Sequence, residues 1–123
     1  MRCVTRFGRL LAGYLDRNSL SQREFCRITG ANRGIVNGVI TGRTETRRPE
    51  GITVSLETAR AWGEALELDA NEMDRFIDAC ALARAPRVRH RRLEWLLDLA
   101  YETQALHQRV AQEPRPYEPR KDR

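Results

Sequence analysis

The side chains best suited to chemistry in this chain lie between Leu20 and Arg43, in the run LSQREFCRITGANRGIVNGVITGR. Gln22, Asn32 and Asn37 carry planar amides, each holding a donor and an acceptor side by side. Arg33 and Arg43 carry guanidinium forks that pair with two acceptors at once, and Arg47 and Arg48 follow shortly after. Groups of this kind recognise a partner through paired hydrogen bonds; they do not abstract protons or attack carbonyls.

Residues for catalysis show no such concentration. The phosphate-cradling G-x-x-x-x-G-K-[ST] and the dinucleotide-binding G-x-G-x-x-G are both absent from the sequence. The two histidines, His90 and His107, lie far along the chain from Cys26 and follow no triad pattern. Glu94 and Asp98 share a helix face at i, i+4 and read as partners for neighbouring arginines rather than as an acid–base pair. The three cysteines, Cys3, Cys26 and Cys80, form no C-x-x-C pair, so no zinc site is expected. Cys26 and Cys80 fall on apolar faces and read as small hydrophobes, leaving Cys3 as the most exposed thiol. Neither an enzyme nor a cofactor is expected.

The elements that must position the Leu20–Arg43 groups are helices. Phe7, Leu10, Leu11, Tyr14 and Leu15 repeat at helical spacing and predict a helix over 6–17, after a loose arm and before a left-handed turn at Asn18. Ser21 and Glu24 form an S-x-x-E capping box that opens a helix over 22–29. Its buried stripe is Phe25 and Cys26 with Ile28 or Thr29. Gly30 suits a left-handed helix end, and Asn32 suits the N-cap of a third helix over 33–40. That helix has an inward face of Ile35 or Val36 with Val39 or Ile40. Asn32, Arg33, Gly34, Asn37 and Gly38 are left outward. Gly34 and Gly38 each lower helix propensity by about 1 kcal/mol relative to alanine. After a loop over 43–54, Ser55 starts a fourth helix, in which the spacing of Trp62 fits a buried stripe. Asp69 and Glu72 form a second capping box ahead of a helix over 70–83 that buries Met73, Phe76, Ile77 and Cys80.

Leu20, Ser21, Gln22, Phe25, Thr29, Gly30, Ala31, Asn32, Val36, Val39 and Gly42 fall without a gap on the pattern of the lambda-repressor/Cro (Xre-type) helix-turn-helix DNA-binding family, which this stretch resembles. Cys26 stands where the family carries alanine, and Ile40 where it often carries a polar residue. SLETARAWGEALEL resembles the family's fourth helix, with Leu56, Ala59, Trp62, Gly63, Leu66 and Leu68 on its buried positions, so the likeness spans roughly residues 6–83. It implies an all-α, five-helix lambda-repressor-like domain whose third helix enters the major groove of double-stranded DNA. It also implies that Gln22 contacts phosphate and steadies a side chain of the reading helix. Arg33 would pair with guanine and Asn37 with adenine, with Asn32 on a phosphate or base edge. Gly34 and Gly38 would admit the backbone close to the groove, while Arg43, Arg47 and Arg48 would grip phosphates, or else form a solvated loop.

Composition agrees with this reading and narrows it. The 123 residues suffice for one modest core; the formal charge is +5, and of 22 basic residues only Lys121 is a lysine. Mean hydropathy is −0.63. No secretory signal or membrane-spanning run is recognisable, and an odd, unpatterned cysteine count suits a reducing cytoplasm. Pro86 breaks the chain, and a long helix over 87–112 follows. Leu93, Leu96, Leu97 and Ala100 form one apolar stripe, and Trp95, Leu99, Leu106 and Val110 another. A helix apolar on two sides has a partner to bury against, so Leu93, Trp95, Leu96, Leu99 and Leu106 are the expected contacts of a homodimer. The arginines at 87, 89, 91 and 92 oppose the helix dipole and read as neutralised by phosphate or by Glu94, Asp98 or a partner. The proline-rich stretch 113–123 is expected to be disordered.

The function expected from these features is a cytoplasmic transcriptional repressor reading an inverted repeat as a dimer. Three other readings stay open: an antitoxin whose last helix holds a toxin, a repressor of a phage or mobile element, and an interaction module that kept the fold without DNA binding.

Overall fold

The computed structural model describes residues 4–43 and 51–112, with side chains to Val110. Arg47, Arg48 and the 113–123 stretch lie outside the described residues. Among those described, the secondary structure is helical: α1 (Arg6–Arg17), α2 (Gln22–Thr29), α3 (Arg33–Thr41), α4 (Leu56–Ala65), α5 (Ala70–Ala83) and α6 (His90–Gln112), with a 3-10 turn at Arg87–Arg89. The chain divides into two compact units, one ending at His90 and one beginning at Arg91. The helix expected to start at residue 87 is therefore preceded by a tighter turn, set by Pro86 with φ −55° and ψ 135°.

In the first unit each helix start is fixed by a side chain. Thr5 caps α1, Ser55 caps α4, and capping boxes at Ser21/Glu24 and Asp69/Glu72 open α2 and α5. The left-handed residue after α1 is Ser19 (φ 53°), not Asn18, whose side chain instead donates to the Tyr14 carbonyl at 2.8 Å. Helix α1 packs on α3 and α5, α4 packs on α2 and α5, and α2 packs on α3. Phe7, Leu11, Phe25, Val36, Leu66 and Phe76 are essentially inaccessible at their centre. The resemblance of the fourth helix implies a buried Leu56, but it is 42% exposed, on the rim of a shallow groove of about 340 Å³ between α4 and α5. No buried side chain among the described residues is polar or charged. Burial raises the Cys80 thiol to about 11 and also raises that of Cys26, so both act as packing groups rather than nucleophiles.

Arg17 ties α1 to α5. Its guanidinium lies 4.8 Å from the Tyr14 ring centroid and donates to both carboxylate oxygens of Glu72. The Arg17 hydrogen bond, together with the backbone N–H of Asp69, holds the Glu72 carboxyl below its usual range. A depressed folded-state value means that the unfolded chain binds the proton more tightly. Glu72 therefore contributes stability fully above the unfolded value of about 4.3 and loses it as pH falls through the folded one. Glu72→Gln keeps the cap, since glutamine accepts equally at that position, but cannot titrate. Thermal unfolding followed from pH 7 down to about pH 3 should thus fall less steeply in Glu72→Gln than in the natural chain. Equal slopes would mean that the Arg17–Glu72 pair adds nothing.

Candidate nucleic-acid interface

Helices α2 and α3 are joined by the three residues Gly30, Ala31 and Asn32. Gly30 turns the chain with φ 73°, and its N–H closes α2 on the Cys26 carbonyl. Thr29, rather than Ile28, faces inward: its hydroxyl donates to the Phe25 carbonyl at 2.8 Å and accepts from the Ala31 N–H at 3.2 Å. Ile28 is 55% exposed. Asn32 Oδ1 accepts from the N–H groups of Gly34 (2.8 Å) and Ile35 (3.2 Å), which fixes the start of α3.

The pair of inward residues on α3 is Val36 and Val39; Ile35 is 38% exposed and Ile40 half-buried. Asn32, Arg33, Gly34 and Asn37 are exposed together with Ile35. Asn37 Nδ2 donates to Gln22 Oε1 at 3.3 Å, so the first residue of α2 reaches across to the open face of α3. No acidic side chain occupies the first turn of α3, which leaves the positive end of its dipole unopposed beside Arg33.

Gly38 departs from its expected place. It is buried, and a Cβ built there would fall inside the contact radius of Ile52 Cδ1. Arg43 lies along the same lane, with Nη2 donating to the Gly34 carbonyl at 3.3 Å. The small residue at 38 thus accommodates the chain's own returning segment, and there the helix backbone is not open to an outside ligand. Gly34 remains exposed, with only Asn32 Oδ1 near a built Cβ.

The sequence reading passed over two further cations. Arg23 and Arg27, at i, i+4 on α2, are both exposed and add positive charge to the helix carrying Gln22. Their spacing was the available signal. Among the described residues no group of three His, Cys, Asp or Glu side chains is placed to hold a metal ion, and no helix is long and apolar enough to cross a membrane. No protein-family model, curated protein or solved structure matches the chain.

Proposed function

We propose that this chain is a sequence-specific double-stranded DNA-binding protein, a cytoplasmic transcriptional repressor whose Arg6–Ala83 region is a lambda-repressor-like helix-turn-helix domain. The observation that carries the reading is the Gln22–Asn37 hydrogen bond. It fixes the orientation of an amide on the open face of α3 before any ligand arrives, which lowers the ordering cost of recognition. Helix α3 enters the major groove, Arg33 pairs with guanine O6 and N7, and Asn37 pairs with adenine. Gln22 and the α2 arginines lie toward phosphate, and Arg43 braces α3 while adding charge. Two copies read an inverted repeat, which doubles a small footprint.

Selection of bound duplexes from a random DNA pool tests this. An inverted repeat should be enriched, and Arg33→Ala should relax one guanine position by roughly 5- to 150-fold, the equivalent of about 1–3 kcal/mol for one bidentate pair. The exposed Ile28 and Ile35 favour a second reading, a protein-interaction module using the same face. Failure to enrich any sequence, with residual binding lost at moderate salt, would move that reading to the front.

A further inference from the structure

Four of the five large exposed hydrophobic residues among the described positions of α6 follow a coiled-coil period, and the fifth, Trp95, flanks them at a g position. Leu96, Leu99, Leu106 and Val110 are 42%, 46%, 54% and 67% exposed. With the exposed Thr103 they are spaced three, four, three and four residues apart, the a and d positions of two heptads. Leu93, Glu94, Leu97 and Tyr101 are half-buried and lie on a different face. The Thr103 hydroxyl donates to the Leu99 carbonyl at 2.8 Å, so its polar group is satisfied within its own helix and its methyl can pack in a seam. The seam stops on its N-terminal side at Arg92, which takes the next d position.

We infer that this face pairs with the same face of a second copy, as a short, parallel, two-stranded coiled coil from Leu96 to Val110. Residue types set the strand number: Leu99 and Leu106 occupy d, while two of the three a positions, Thr103 and Val110, are β-branched and the third is Leu96; leucine at d with β-branched residues at a favours parallel dimers. Charge and overlap set the direction. In parallel register every seam residue meets its own copy, and Glu102 at g faces His107 of the second copy at e, twice by symmetry. An antiparallel register that keeps Leu96 in the seam sets Glu102 against Glu102. The antiparallel register that pairs Glu102 with Arg109 leaves Leu96 with no seam residue opposite it among the described residues. Only the parallel arrangement keeps all five layers without a like-charge contact.

The inference rests on the dimer half of the reading above and not on DNA contact. Two heptads make a weak zipper, since helices this short are marginal alone, so association should be concentration-dependent. In a Cys3→Ser background, Val110→Cys should give a disulfide-linked dimer on mild oxidation, mapped by mass spectrometry to residue 110 of both copies. Leu106→Glu in the full chain should abolish the dimer seen by sedimentation at about 100 μM, with helicity by circular dichroism unchanged. A monomer in the unsubstituted chain at that concentration would overturn the seam and the dimer together, and half-site selection by the DNA pool would still leave groove reading standing. A dimer that cross-links only when Leu99→Cys and Val110→Cys chains are mixed would be antiparallel and would overturn the inference alone.

Discussion

Trp62→Ala is expected to cost about 3–5 kcal/mol of folding stability, the range for removing a large aromatic side chain from a packed core. Trp62 is 3% exposed and is where three helices meet. Its ring lies nearly parallel to Phe7 of α1, with centroids 6.2 Å apart, and edge-on to Phe25 of α2 at 5.5 Å. Phe7 in turn packs on Phe76 of α5 at 4.7 Å. Deleting the indole therefore leaves a cavity facing α1, α2 and α4 at once, and no single neighbour can relax into it. A domain of this size has a total stability of only about 5–15 kcal/mol, so the midpoint of thermal unfolding should fall by roughly 15 °C or more. Trp95→Ala is the internal control. That side chain is 62% exposed on α6, and its loss should change the stability of the first unit by less than about 0.5 kcal/mol. Paired melts of the two variants decide the matter: similar small shifts would mean that Trp62 does not join the helices as described.

The contrast between the two tryptophans marks what was legible in the sequence. Helix existence and the caps were readable because their causes are local. A capping box needs only residues three apart, and an apolar stripe only the helical period. Trp62 was assignable to the core on that basis. Choices between adjacent apolar residues were not readable: Ile35 and Val36, or Val39 and Ile40, differ by one position, and periodicity alone cannot say which faces in. The structure selects the two valines because α1 crosses α3 closely, which depends on Gly8, 28 residues before Val36. Gly38 was misplaced for the same reason. Its burial is caused by Ile52, on the far side of a long loop, and nothing within α3 signals it. The stripe of α2 likewise left Ile28 or Thr29 open, and the likeness to the family's fourth helix put Leu56 inward, although it is 42% exposed. For the candidate interface, residue types were legible, but the Gln22–Asn37 hydrogen bond depends on how two helices are set against each other across the turn.

The crossing of α1 over α3 makes a sharper prediction, because one chemical change should have opposite signs at two positions of the same helix. A Cβ built on Gly8 would overlap the carbonyl oxygen of Val39. That oxygen belongs to the α3 backbone and cannot rotate aside, so Gly8→Ala forces the helices apart. The expected cost is about 3 kcal/mol, at the upper end for overpacking, less the gain in helix propensity. At Gly13, five residues on, nothing lies within 4 Å of a built Cβ, and Gly13→Ala should stabilise by about 1 kcal/mol, through propensity and a less flexible unfolded chain. Gly38→Ala falls between them, because the atom it meets is the tip of the Ile52 side chain, which can change rotamer. Urea unfolding measures all three, and an unchanged denaturant slope would show that only stability has moved. Since α3 carries Arg33 and Asn37, Gly8→Ala should also weaken any DNA binding found by selection, whereas Gly13→Ala should not. If both alanines stabilise, α1 does not rest on the α3 backbone, and the orientation of the proposed reading helix must be redrawn.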